Sequence, residues 1–324
     1  MEKARSTGLT LLPYVRQYVH QRTVRGDYSK TTAKNVTNTL TRFAISYGKK
    51  NLNRLSPAAV DQFLDEMGDV SRGTKRLWMS QLKLFLQWMV DTKNISKHPM
   101  KGMKPPRRVK EVPVTLTERE VARLLDVCGT DQRKRVMVWL MVGLGARCCE
   151  VSNLLVDHYD GEGRTILLNG KGGHQRILPV PAEVARQIDA YLREVGRVSG
   201  APMIRARGGG APGRRGAPST TRGLAPQTVS WYMRLMFDEA DIKVRAHDGK
   251  SAHALRRTAA SDVLERTNDL LAVQRMLGHA KLETTAAYLR AKPDDVLRAA
   301  MEGRTYSPPP PDDDDGLAGA LVPA

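Results

Sequence analysis

The sequence predicts a mainly α chain with a small β-sheet: an N-terminal helical bundle followed by an α+β domain. Three observations lead there. Apolar residues recur at helical spacing through most of residues 9 to 95, with few β-branched runs. A proline-rich basic segment, residues 98 to 113, interrupts that pattern. Beyond it, the stretch TILLNGKGGHQRILPVP alternates weakly around a Gly-rich turn, the mark of a hairpin. With 324 residues the chain is long enough to bury two cores.

The first region holds four or five helices. LTLLPYVRQYV is apolar at 9, 11, 12 and 15, and KNVTNTLTRFAISYG carries Val36, Leu40 and Phe43. SPAAVDQFLDEMG opens on a serine cap with Pro57 at the first helical position, then presents Val60, Phe63, Leu64 and Met67. TKRLWMSQLKLFLQWMV is the most apolar, with Leu77, Trp78, Leu82, Phe85, Leu86 and Met89. In HPMKGMKPPRRVKEVP the prolines stop a helix from continuing. Its basic residues Lys101, Lys104, Arg107, Arg108 and Lys110 suit a strap lying along phosphates. The expected division is a bundle over residues 1–97, a linker over 98–113, a second domain over 114–303 and a disordered tail over 304–324, which ends in SPPPPDDDDGLAGALVPA.

The second domain opens on Thr117 and Glu120, which have capping-box spacing, and continues as helices through VARLLDVC and RVMVWLMVGLG. The hairpin follows, then the helix AEVARQIDAYLREVG. Residues 205–222, RARGGGAPGRRGAPSTTR, contain five arginines, many glycines and no acid, and are expected to be a flexible loop or insertion. Helices resume at PQTVSWYMRLMF, HALRRTAASDVLE and NDLLAVQRML. Gly278 should stop the last of these, because glycine tolerates the left-handed conformation of a helix end. Thr284 or Thr285 would then cap a short element carrying Tyr288.

Charge narrows the partner. The chain carries a formal +18, and residues 1 to 110 hold 22 Lys and Arg against 7 Asp and Glu. A surface so biased suits a polyanion. The basic residues interleave with several helical patterns and do not line one amphipathic helix, which favours nucleic acid over an anionic membrane surface. No apolar run approaches membrane-spanning length, and the first residues are too polar for a signal peptide, so a cytoplasmic protein without membrane attachment is expected. Cys128, Cys148 and Cys149 include no CxxC and are odd in number, which favours neither a disulfide framework nor zinc.

Four places in the second domain carry groups suited to phosphate chemistry. Arg147 and Glu150 stand at i, i+3 just after a glycine break, a spacing that by itself signifies no more than a helical ion pair. Lys171 stands at the hairpin tip, where an ordinary turn lysine would also fit. His253 and Arg256 lie on one helical face behind Ser251 as cap, and His279 precedes Tyr288 by nine residues. Each is weak alone. In this order, G-x-R-x-x-E, G-K-G, H-x-L-R and L-G-H followed by tyrosine, the residues resemble the tyrosine recombinase (phage integrase) family over most of residues 113 to 300. The bundle before them resembles that family's core-binding domain. Arg257 stands where the family often has a second histidine, and the Gly/Arg-rich stretch is longer than usual.

The resemblance implies a site-specific DNA recombinase or integrase of the simple type, without an arm-binding domain. It implies cutting and rejoining of double-stranded attachment sites through a 3′-phosphotyrosyl intermediate and a Holliday junction, in phage or mobile-element integration and excision. The expected assembly is a homotetramer on DNA at the nucleoid, with a recombination directionality factor as a further partner and neither cofactor nor metal. Tyr288 is the expected nucleophile, and Arg147 and Arg256 the forks on the nonbridging oxygens. Lys171 is the acid for the departing 5′ oxygen, His253 the acceptor of the tyrosine proton, His279 a hydrogen-bond donor to the phosphate and Glu150 a support. The chemistry agrees, since charge builds on those oxygens and guanidinium forks bind it bidentately. A type IB topoisomerase-like nicking and rejoining enzyme and a catalytically inactive DNA-binding regulator remain alternatives.

Overall fold

The computed structural model describes residues 10–107, 114–170, 173–208, 217–242 and 249–279. The chain divides into two compact units, the first ending at Lys110 and the second beginning at Glu111.

The first unit is built from α1 (Leu12–Val24), α2 (Lys30–Tyr47), α3 (Pro57–Glu66) and α4 (Arg72–Asp91). Serines start three of the four. The Ser29 and Ser71 hydroxyls accept the N–H groups of Thr32 and Thr74 at 3.2 and 3.1 Å, relieving donors that a first turn leaves unpaired. Ser56 occupies the cap position of α3 without a side-chain bond, leaving Pro57 to set the helix start. The core is aromatic: Tyr18 meets Phe85 with ring centroids 5.5 Å apart, and Phe43 meets Phe63 at 5.4 Å. The Trp88 indole donates to Gln21 Oε1 at 2.9 Å, tying α4 to α1.

Two expectations for this unit are corrected. Leu77 is 54% exposed. It lies five residues before Leu82, about 140° round the helix at 3.6 residues per turn, and so leaves the buried stripe. The strap expected from residue 98 is at first part of the bundle. Met100 is 1% exposed within its core, and His98 engages the Lys83 carbonyl at 3.1 Å through Nε2 and accepts the Met100 N–H at 3.0 Å through Nδ1. Lys101, Lys104 and Arg107 are exposed beyond that anchor, while Arg108 and Lys110 lie outside the described residues.

The second unit contains α5 (Glu118–Asp126), α6 (Gln132–Leu144), α7 (Cys148–Ser152), α8 (Ala182–Val195), α9 (Pro226–Glu239), α10 (Ala252–Thr267) and α11 (Leu270–Leu277). The capping box predicted for α5 is present: Glu120 N–H donates to Thr117 Oγ1 at 3.3 Å, and Thr117 N–H donates to Glu120 Oε2 at 2.9 Å. Apolar α6 is the central helix, packed on α8 and α10. Gly143 permits the close approach to α8, since a Cβ there would stand 2.5 Å from Val184 Cγ2.

The hairpin expected around the Gly-rich turn is β2 (Thr165–Asn169) against β3 (Gln175–Pro179), with β1 (Tyr159–Asp160) added antiparallel on the other side of β2. The Gly/Arg-rich stretch differs from expectation. Its ends form an antiparallel ribbon, β4 (Arg205–Arg207) with β5 (Pro218–Gly223). Arg205 is 1% exposed because its guanidinium donates to the Val195 and Gly196 carbonyls at the end of α8. No helix among the described residues is long and apolar enough to cross a membrane.

Candidate active site

Glu150 organises the site. The polar break after α6 places it: Gly145 takes a left-handed conformation with φ 62° that ends the helix, and Arg147 then stands at the cap position of α7 rather than on a shared helical face. The Arg147 N–H donates to Glu150 Oε2 at 2.9 Å and its Nη1 to Oε1 at 2.6 Å, so the short helix is capped and paired by one carboxylate. The Glu150 side chain has no solvent exposure. A buried charge needs several partners, and Arg147 is only one of them.

The second partner is Arg176 on β3, which sequence reasoning missed. Its Nη1 and Nη2 donate to the two Glu150 oxygens at 2.9 Å each, a fork on a fork. The signal for it was strand alternation: Arg176 shares the inward face with buried Leu178, an odd place for a cation unless a carboxylate waits there.

Arg256 on α10 is the third, with Nη1 3.7 Å from Glu150 Oε2. It is 2% exposed. Its Nη1 donates to the Gly145 carbonyl and its Nη2 to the Leu277 carbonyl, acceptors that the ends of α6 and α11 leave without intrahelical partners. One arginine thereby joins two helix C-termini to α10, where a cation is also favoured by the helix dipoles. The expected Ser251 cap is present, its hydroxyl accepting the His253 N–H at 3.3 Å.

These charges set the protonation of the site. Burial pushes the Glu150 carboxyl up, but the Arg176 hydrogen bonds, the Arg147 N–H and the charges of both arginines outweigh it and bring it down to about 2. Burial and the charges of Arg256, Arg147, Arg176 and His253 push His279 down to about 4. Crowding of the ring and the charges of Arg257, Arg256 and Arg147 hold His253 below the usual histidine range. For His253 the like charges are the firmer cause, because the residue is open to solvent. At neutral pH both imidazoles are therefore neutral beside three guanidinium groups and one carboxylate. Two positive charges remain uncompensated among these groups, and of the three guanidinium groups that of Arg147, 27% exposed, is the most open to solvent.

The structure thus brings Arg147, Glu150, Arg256, His253 and His279 into one cluster. Lys171 and Tyr288 lie outside the described residues. Among the described residues no group of three or more His, Cys, Asp or Glu is placed to hold a metal ion.

Comparison with known proteins places the chain among recombinase-like sequences and folds. The chain is 32% identical over 200 residues to tyrosine recombinase XerA of Thermococcus kodakarensis, covering 61% of this chain and 65% of that one. It is 33% identical over 201 residues to tyrosine recombinase XerD of Mycobacterium leprae, covering 58% and 60%. Each match spans less than two thirds of the relative's own length. In fold it is similar to the XerH site-specific recombinase bound to a palindromic difH substrate, with a TM-score of 0.69 at 18% identity over 91% of this chain and 96% of that one. The phage integrase family model matches residues 114–294, a stretch containing the whole cluster, and the chain belongs to that family.

Proposed function

We propose that the protein is a tyrosine site-specific recombinase that cuts and rejoins double-stranded DNA without metal or ATP. The observation that carries this reading is the buried pairing of Arg147, Arg176 and Arg256 with a single carboxylate, Glu150. The cluster's surplus of two positive charges suits a phosphodiester, which carries one negative charge that grows toward two in the transition state. Arg147 and Arg256 meet the nonbridging oxygens and stabilise the charge that grows there. Neutral His279 keeps one N–H to donate to the same phosphate.

In the proposed step the Tyr288 hydroxyl passes its proton to His253 and its oxygen bonds to phosphorus. The bond from phosphorus to the 5′ oxygen breaks, and Lys171 protonates that oxygen as it leaves. Reversal with the 5′ hydroxyl of another strand rejoins the backbone and yields a Holliday junction. The basic bundle, with Lys101, Lys104, Arg107, Arg108 and Lys110, supplies sequence-independent phosphate contacts. Two attachment sites held by a homotetramer complete the reaction. Phage or mobile-element integration and excision is the setting expected from the sequence. The relatives named above are Xer recombinases, and their similarity supports the strand-exchange chemistry rather than that setting.

A nicked suicide substrate tests the reading. Wild type should form a covalent protein–DNA adduct in the presence of a chelator, and Tyr288→Phe should form none while still binding DNA. An adduct that survives in the Phe variant, or that requires a divalent cation, contradicts it.

A further inference from the structure

The turn that presents His279 is fixed from two sides. Gln274 holds it from α11: the His279 N–H donates to the Gln274 carbonyl at 3.2 Å, and Gln274 Nε2 donates to the His279 carbonyl at 2.9 Å. Arg176 holds it from the sheet. Its Nε donates to the Met276 carbonyl at 2.8 Å while its two terminal nitrogens grip Glu150. Gly278 lies directly on this side chain. A Cβ there would stand 3.1 Å from Arg176 Cδ and 3.2 Å from Nη1, and φ at that residue is +61°. Glycine is thus required both by the backbone and by the arginine beneath it.

We infer that Arg176 is a positioning residue of the reaction, its planar fork setting the Gly278–His279 turn in register with Glu150 and, through Glu150, with Arg147 and Arg256. This rests on the reading of His279 as a phosphate ligand. All three nitrogens are used, two on the Glu150 carboxylate and the third on the Met276 carbonyl. They connect β3 to α7 and to the end of α11, elements that have no covalent reason to keep a common register. Lysine would keep the charge but offers one nitrogen, which cannot grip two carboxylate oxygens and a carbonyl in one plane. If Arg176 served only to neutralise buried Glu150, lysine would substitute for much of its function and His279 would be irrelevant to the outcome.

That contrast gives the experiment. Single-turnover cleavage of a nicked suicide substrate at saturating protein is measured for wild type, Arg176→Lys, His279→Ala and the double variant, with site binding and thermal melting in parallel. Arg176→Lys should slow cleavage on the order of 100-fold, the effect of displacing a reacting group by about 1 Å, while site affinity stays close to wild type. In the His279→Ala background the same change should cost no more than about two-fold, because the turn no longer carries a group to position. Gly278→Ala, which lifts the turn off Arg176 without altering its charge, should reproduce the loss and the non-additivity. It decides the matter if melting shows Arg176→Lys to be unfolded. Equal losses from Arg176→Lys with and without His279, or wild-type rates in both Arg176→Lys and Gly278→Ala, would overturn the inference. An absence of adduct in wild type would instead overturn the recombinase reading beneath it.

Discussion

The largest fully buried side chains of the bundle are Tyr18, Phe43, Tyr47, Phe63 and Phe85, whereas those of the second unit include Arg205 and Arg256. The first interior is held by area and shape. Its contacts lack strong directionality, and a displaced ring loses packing a little at a time. The second unit has an ordinary apolar core around α6, but beside it stands a cluster in which one carboxylate and three guanidinium groups fix five chain segments through directed bonds. A small displacement there leaves buried charges unpaired. An interior that only holds helices together can be apolar, whereas one that keeps charged groups at fixed separations needs directed polar bonds.

Substitutions in the two interiors should fail in different ways. Phe85→Ala in the bundle should give the larger loss of stability, roughly 3–5 kcal/mol for a buried aromatic ring. The cleavage rate of protein already bound to its site should stay near wild type. Denaturant unfolding together with single-turnover cleavage checks both halves, and a large fall in the bound-state rate would erase the distinction drawn between the two interiors.

Glu150→Gln in the cluster should cost less stability but remove a pH dependence that wild type shows. The Glu150 carboxyl titrates near 4.5 when unfolded and at about 2 when folded. Its folded value is depressed, so its contribution is fully present above the unfolded value and is lost as pH falls from about 4.5 through 2. The shift corresponds to about 3 kcal/mol at neutral pH. Unfolding free energy measured across that window should fall more steeply for wild type than for Glu150→Gln. Parallel curves would mean that the arginines do not hold the carboxylate as described.

The same contrast explains what could be read from the sequence. Periodicity and local punctuation foretold the helices, the capping box of Thr117 and Glu120, the cap at Ser251 and the left-handed helix end at Gly278. All of these depend on residues within one or two turns of each other. The order of chemical groups pointed to Arg147, His253, Arg256 and His279 as one site, and the structure gathers them. Strand alternation can mark Arg176 as facing inward, but its partners are 26 and 100 residues away, so nothing local ties it to that site. The ribbon at Arg205 escaped notice for a like reason: composition marks a Gly/Arg-rich stretch as loose, while the buried arginine that anchors it pairs only with backbone carbonyls. Leu77 erred in the other direction, an apolar residue near a stripe that the helix turns toward solvent.

On the proposed function, the positive surplus around Glu150 recognises the charge of a phosphodiester. The most direct measurement compares wild type with Arg147→Ala on two suicide substrates, one with a normal scissile phosphate and one with a neutral methylphosphonate at that position. Loss of one guanidinium should slow cleavage of the charged substrate on the order of 1000-fold, as removal of a preorganised donor does elsewhere. The same loss should matter by no more than about ten-fold on the neutral one, where little charge is left for Arg147 to meet. Equal slowing on both substrates would contradict the account.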